Sequence, residues 1–392
     1  MHRFPFPPDK GDKIRAWHVL KALLKEHEVD VVTHIDDRAD LALVSELAAK
    51  VHSLSASYLS LPHRIASALL GFVRGRAASL AWFDHGDARR VVADFVRSRR
   101  PDVIVAVSAQ PLEYVLHLPE ARGIPIVADL VDVDSEKWAA YARGISWKRL
   151  GPLGQWFMRT ESNRVRDEER LIAERAASVI VTTLREAELF TSKVSNVPVL
   201  AIPNGVDRTD CDGRTPDEAL LTFIGTMDYS ANEDAAMWAA SEILPAIRRD
   251  CPSARLRIVG RNPTKRVQEL GMQTGVEVTG AVESIRPHLN ASTLSLIPLR
   301  VARGVQNKVL EALAAAVPVV TTRAVCDSLG ATPNVHVLVG DSAAELAAHS
   351  VRLIRDPALA KSLGIAGREL ASKDYRWEDF DTSILAAVGG AR

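Results

Sequence analysis

The sequence predicts an α/β protein built from two doubly wound, mostly parallel sheets. Short runs of β-branched and aliphatic residues alternate with helical patterns through both halves of the chain, and that alternation builds parallel sheets. The runs are apolar on both faces, as strands covered by helices on either side require. A polar stretch over 209–218, with Gly213 and Pro216, interrupts the series, and a second series begins after it. The expected organisation is an N-terminal domain over 1–207, a linker over 208–218 and a C-terminal domain over 219–375. A terminal helix over 376–392 is expected to pack back on the N-terminal domain.

In order, Pro5–Asp12 reads as a loop. Lys13–Lys25 reads as a helix with Ile14, Trp17, Leu20 and Leu24 on one face and Asp12 as its N-cap. Val29–Thr33 is a strand, and 51–61 holds a short strand and a loop. Residues 64–100 carry eight arginines against three aspartates, interleaved with Ile65, Leu69, Phe72 and Trp82. Such helices are either core helices with solvated arginines or a surface that rests on anionic lipid. Strands follow at 102–107 and 124–132. The second runs into Val133-Asp134-Ser135-Glu136, so aspartates crowd the carboxyl end of a strand, where open parallel sheets bind ligands. One such aspartate is commonly a helix cap; Asp129, Asp132 and Asp134 together point to a site. A helix over 155–176, a strand over 178–183, a helix from Glu186 and a strand over 199–202 lead into Pro203-Asn204-Gly205-Val206-Asp207. The second series has strands at 220–224, 256–259, 276–279, 293–297, 319–320 and 335–339. Helices are expected between them and over most of the remainder.

Composition excludes several classes. With 47% apolar residues, 392 residues can bury a full core, and zero net charge gives no global field toward nucleic acid. Cys211, Cys251 and Cys326 are widely separated, which fits neither a disulfide framework nor a zinc site and fits a reducing compartment. No apolar run reaches membrane-span length, and the opening residues are not a signal peptide. A cytoplasmic protein, with peripheral contact at a membrane surface, is expected. GxGxxG after a strand and GxxxxGK[ST] are both missing.

The stretch from Arg303 to Val320 reads loop, helix, turn, strand. Gly304 lets a backbone approach closely, and the free N–H groups of the helix that follows favour an anion. Lys308 and Glu311 are three residues apart and share one helix face. A phosphate at the helix mouth would take Lys308, and a sugar diol deeper in would donate to Glu311. An amphipathic helix with a solvated Lys–Glu pair has the same local pattern.

Two such domains joined at PNGVD, with KxxE on an anion-binding helix, resemble the retaining GT-B glycosyltransferases: two Rossmann-like domains facing across a cleft. The closer resemblance is to bacterial family 4. PFPPDKGDKIRAWHVLKAL, DLVDVDSEKW, FIGTMDYSANEDA and PLRVARGVQNKVLEALAAAVPVV together resemble the sugar transferases associated with the PEP-CTERM/exosortase system and its exopolysaccharide cluster. The resemblance implies a nucleotide-sugar donor in the C-terminal domain, a glycan or lipid-linked acceptor in the N-terminal domain, and no cofactor or metal. It places Glu311 on the nucleotide ribose and Lys308 on the diphosphate, with Gly304 at the helix mouth. It places Gly225 and Thr226 in the loop facing the donor, and Gly11, with Lys13 beside it, in the N-terminal loop facing the diphosphate. Arg15 is a further candidate there. Two departures stand out. The first glutamate of the family's Glu-x7-Glu motif falls on Arg303, which implies an acidic sugar or an added phosphate contact. The histidine many members carry after the strand ending at 129–132 is replaced by carboxylates. Asp132 is then the candidate for orienting the acceptor hydroxyl or steadying the anomeric centre.

Two alternatives remain on these residues: a sugar-nucleotide 2-epimerase of the same fold, and a non-catalytic glycosyltransferase-like subunit, for which Arg303 speaks. One further expectation concerns the start. The loop bearing Gly11 should follow the central strand of its sheet, yet only Met1-His2-Arg3-Phe4 precedes Pro5, against about five or six residues in a typical strand. The first strand is therefore expected to be largely missing, and Met1 not to be the natural start.

Overall fold

The computed structural model describes residues 1–143, 151–194, 197–207 and 214–391. The linker expected over 208–218 lies outside the described residues up to 213, as does Cys211. The described chain divides into two compact units, Met1–Pro203 with Glu378–Arg392, and Asn204–Trp377.

The first unit carries β1 (Asp30–Ile35), β2 (Ser53–Tyr58), β3 (Ile104–Val107), β4 (Ile126–Val131), β5 (Ser178–Val181) and β6 (Val199–Ala201). All pairings are parallel, but the strands fall into two sheets, β1-β2 and β3-β4-β5-β6. Met1–Phe4 is not a strand. It lies against β1, with the Met1 ammonium donating to Val32 O (2.9 Å) and Phe4 N–H to His34 O (2.6 Å). Phe4 is fully buried with Leu20, Val31, Ile35 and Leu47. The first helix begins at Gly11, not Lys13, and Lys10 is its N-cap without a side-chain cap bond. Asp12 is not the cap: its carboxylate is drawn off by Arg3 and His2. The last helix, Trp377–Gly389, is fastened within this unit by the Lys25–Asp381 pair (2.6 Å) and by Phe380 under the Arg15 guanidinium.

The second unit carries β7 (Leu220–Ile224), β8 (Arg255–Val259), β9 (Val276–Gly280), β10 (Leu294–Ile297), β11 (Val319–Thr321) and β12 (Leu338–Val339) in one parallel sheet of order β12-β11-β10-β7-β8-β9. The strand expected over 335–339 shrinks to two residues at the sheet's edge, because a turn at Asn334 (φ 62°) holds Val337 O. The helical stretch after β7 is three pieces, Ser230–Trp238, a π-helical turn Ala239–Ile243, and Leu244–Asp250. β7 and β10 are neighbours, and from them the chain winds outward in opposite directions. The carboxyl ends of β7 and β10 are thus the topological switch point, where open sheets of this kind take ligands.

Candidate active site

The loops after β7 and β10 bring together residues that the sequence analysis expects to meet a donor. Gly304 leaves the β10 loop with φ 59°, a left-handed conformation that glycine adopts without strain, and turns the chain into the helix Asn307–Ala314. Gln306 is the N-cap and provides no side-chain cap bond, so the helix mouth keeps N–H groups for an external acceptor. Val309, Leu310 and Leu313 are fully buried and fix the helix on the sheet, while Lys308 and Glu311 on the other face are partly exposed.

The Lys308 ammonium donates to Asn232 Oδ1 (3.0 Å) and Gln306 Oε1 (3.3 Å). Both partners are neutral amides. Burial lowers its pKa to about 8, with Glu311 pulling the other way. Glu311 is raised to about 7, chiefly by burial, with Lys308 opposing and Asp207 adding to the rise. Among the described residues no hydrogen-bond donor meets the Glu311 carboxylate. A poorly solvated cation and a poorly solvated anion therefore stand one helical turn apart, each short of the partner that would stabilise its charge.

Asn232 ties the two loops together. Its Nδ2 donates to Thr226 O (2.9 Å) while its Oδ1 receives Lys308, and it is 4% exposed. Gly225 makes room for it: a Cβ there would stand 2.7 Å from Asn232 Nδ2. Asn232 lies in the run FIGTMDYSANEDA, whose pattern alone does not mark it. An amide in the first turn of a helix opening at a strand's carboxyl end was the available signal. A second amide contact was also missed. Asn204 of the PNGVD loop donates to Asn307 Oδ1 (2.9 Å) at the same helix mouth. Arg303 is partly buried at the entrance to this turn, and its carbonyl accepts from Gln306 Nε2 (2.7 Å).

In the first unit, β3 and β4 leave their sheet through Ser108 (φ 74°) and Val131 (φ 70°). A β-branched residue at positive φ is costly, on the order of 1–3 kcal/mol, and such strain gathers at functional sites. Across Val131 the Asp132 N–H reaches back to Leu130 O (2.8 Å), a γ-turn that redirects the chain and presents Asp132. Thr182 Oγ1 donates to Asp132 Oδ1 (3.1 Å). Burial raises the Asp132 pKa to about 6; Lys137 opposes, and Glu186 and Asp134 add to the rise. Glu186, itself buried, accepts the next amide, Val133 N–H, at 2.8 Å.

Lys13 and Arg15 are both engaged by carboxylates of their own unit. Lys13 is 2% exposed and its ammonium sits on Asp40 (2.6 Å), with Asp9 at 3.8 Å. Arg15 is fully buried against both oxygens of Asp129 (2.7 and 3.0 Å) and also donates to Ile202 O. These are internal ion pairs, Lys13 fastening the first helix to the 3-10 turn Arg38–Leu43 and Arg15 fastening it to β4, and breaking one would leave a buried charge uncompensated. Gly11 begins that helix and brings no charge of its own. Among the described residues no group of three or more His, Cys, Asp or Glu could hold a metal ion.

Two protein families match this chain: "Glycosyl transferase 4-like domain" over residues 13–205 and "Glycosyl transferases group 1" over 218–356. Among solved structures, sucrose-phosphate synthase from Thermosynechococcus elongatus is similar at TM-score 0.70 and 17% identity, over 96% of this chain and 92% of that one. HepE from Anabaena, crystallised with UDP-glucose, is similar at TM-score 0.70 and 13% identity, over 99% and 97%. TarM is similar at TM-score 0.60 and 13% identity, over 77% of this chain but only 58% of that protein, so the chain spans less than two thirds of TarM's length. At these identities the likeness establishes the fold. A sequence search of curated proteins finds no match.

Proposed function

Because the chain belongs to the family-4 glycosyltransferases of GT-B fold, acting on a nucleotide-sugar donor, we propose a specific division of labour among its residues. Lys308 and the open N-terminus of its helix hold the donor diphosphate. Glu311 accepts from the ribose diol. Gly225 and Thr226 line the donor through the Asn232 bridge, and Arg303 contacts the sugar or a phosphate. The acceptor, a glycan or a lipid-linked glycan, is bound by the N-terminal unit, where Asp132 orients its hydroxyl. The single observation that carries this reading is the Lys308 ammonium, held only by amide oxygens at an uncapped helix mouth on the switch point.

In the transfer, the bond from the anomeric carbon to the diphosphate breaks and one to the acceptor oxygen forms. Negative charge grows on the leaving phosphate, where a preset cation and helix N–H groups lower the barrier most. The leaving phosphate can take the acceptor proton, which fits retention of configuration at the anomeric carbon. The resemblance read in the sequence to exosortase-associated sugar transferases would place the reaction in exopolysaccharide assembly at the cytoplasmic face of the membrane. Thermal-shift measurements test the donor assignment: nucleoside diphosphates and their sugars should raise the melting temperature, and free sugars should not. Absence of any shift at millimolar nucleotide would overturn it.

Of the two readings of residues 64–100, a basic surface for anionic lipid is the less favoured, and any membrane contact in this proposal rests on apolar side chains. Most arginines of 64–100 have acidic partners inside the unit. Arg64 pairs with Asp36, Arg76 and Arg89 with Asp84 and Glu113, and Arg97 with Asp94 and Glu120. What faces outward on the helix Leu61–Val73 is an apolar stripe of Leu61, Ile65, Leu69 and Val73, the last 84% exposed. Exposed Trp156 touches Phe72 beside it, ring to ring at 6.0 Å. Among the described residues no helix is long and apolar enough to cross a membrane. Binding to anionic vesicles should therefore survive salt, since burial of apolar side chains is not screened. It should fall at least about tenfold in Leu69→Ser/Val73→Ser, given roughly 0.8 kcal/mol per buried methylene. Co-sedimentation unchanged in that variant would remove the stripe from the reading.

A further inference from the structure

The γ-turn across Val131, with φ 70°, is the strained form of that turn. Such a conformation persists only where its surroundings over-determine it. Before the turn, Val131 N–H donates to Asp129 Oδ1 (3.3 Å), and Arg15 holds that carboxylate. At the turn, Thr182 N–H donates to Val131 O (2.8 Å) and Thr182 Oγ1 to Asp132 Oδ1. After it, Val133 N–H donates to Glu186 Oε2 (2.8 Å). Further on, Glu169 accepts from both Ser135 N–H (3.0 Å) and Ser135 Oγ (2.5 Å).

Glu186 differs from the other holders in two ways. It lies in the first turn of the helix Leu184–Lys193, whose N-cap Thr183 accepts the Glu186 N–H at 3.0 Å. A Thr-x-x-Glu start ordinarily spends its glutamate on its own helix; here Glu186 Oε2 serves a segment 53 residues away. It is also the one holder of the turn whose charge acts on Asp132. The other charged groups that do so are Lys137 and Asp134 on the helix Asp134–Arg143, and these pair with each other.

On the reading that Asp132 meets the acceptor, we propose that Glu186 is a positioning residue for the transfer: it anchors the turn that presents Asp132 to the acceptor hydroxyl. Its charge has a second consequence. Behind burial, it is part of what brings the Asp132 pKa to about 6, and a carboxylate with a pKa nearer the working pH is the better partner for a hydroxyl proton.

The test follows the Asp132 side-chain carboxyl carbon by NMR in the full chain, assigned with Asp132→Asn. Glu186→Gln keeps an oxygen for Val133 N–H and deletes the charge, so the Asp132 midpoint should fall by roughly one pH unit. Glu169, which burial raises to about 7, titrates in the same range; Glu169→Gln should leave the Asp132 midpoint in place. Glu186→Ala deletes the bond as well, and amide exchange at Val133 should quicken about tenfold. Turnover is read as nucleoside-diphosphate release, with water as acceptor, from the nucleotide sugar that most stabilises the parent protein. In Glu186→Ala its kcat should fall at least about tenfold at unchanged donor KM, and Glu186→Gln should restore most of it at pH 8. A midpoint unmoved by Glu186→Gln, one moved as far by Glu169→Gln, or parental turnover in Glu186→Ala would each overturn the inference. Asp132→Asn tells the two failures apart: parental turnover there overturns the reading of Asp132 itself, while lost turnover there beside parental Glu186 variants overturns only the role of Glu186.

Discussion

Lys308→Ala is expected to weaken nucleotide-sugar binding by about 1.5–3 kcal/mol, roughly 10- to 150-fold, the range for hydrogen bonds to a charged group. The loss should be as large for free pyrophosphate and small for the nucleoside, because only the first two carry the charge Lys308 meets. Activity should fall at least as far, since negative charge on the diphosphate increases toward the transition state. The variant should fold well. The ammonium is poorly solvated, hydrogen-bonded to the oxygens of Asn232 and Gln306 and attracted by Glu311, so its removal lifts a desolvation cost while deleting that attraction, and the melting temperature without ligand should change little. Asn232→Ala should show a smaller affinity loss of the same selectivity, because it frees the ammonium without deleting it. Titration calorimetry with the three ligands decides the matter. A nucleoside weakened as much as the nucleotide sugar would mean that Lys308 holds the pocket's shape and not the phosphate.

The fold was legible because its signal is redundant. β7 was read at 220–224 and stands at Leu220–Ile224, since five consecutive buried residues between polar turns allow few other readings. What the sequence hid was pairing. Nothing local in Asp30–Ile35 or Ile104–Val107 says that these strands will face each other across a groove, because pairing is a property of two segments. The pairing of charges is hidden for the same reason. Counting along 64–100 gives a strongly basic segment, yet Asp36, Glu113 and Glu120, which answer those arginines, come from other parts of the chain. Lys13 and Arg15 looked available as phosphate ligands until Asp40 and Asp129 arrived from 27 and 114 residues away. At the proposed donor site, Lys308, Glu311, Gly225, Thr226 and Gly304 are local features of two loops, which is why the sequence offers them as candidates. Asn232, which joins the loops, is a contact across 76 residues and was not.

Donor affinity should pass through a maximum between pH 7 and pH 8. Glu311 accepts from the ribose hydroxyls best as a carboxylate, and its pKa in the free protein is raised to about 7. Hydrogen bonds to the charged form lower that pKa in the complex, so affinity is full above about 7 and declines as pH falls below it. Lys308 has the opposite sign. Its free pKa is lowered to about 8, and the diphosphate raises it in the complex, so affinity is full below about 8 and lost as pH rises. Each limb should approach roughly tenfold per pH unit before levelling at the pKa of the complex. A nucleotide sugar is the right ligand for the measurement. Its diphosphate is esterified at both ends and lacks the ionisation near pH 6 of a terminal phosphate. Glu311→Gln should flatten the acid limb and leave the alkaline one; Lys308→Met should do the reverse. Glu311→Ala should cost about 1.5–3 kcal/mol with the nucleotide sugar and almost nothing with pyrophosphate, which has no ribose. Affinity that is level from pH 6 to pH 9 in the parent protein, or an acid limb that persists in Glu311→Gln, would show that this carboxylate does not meet the donor.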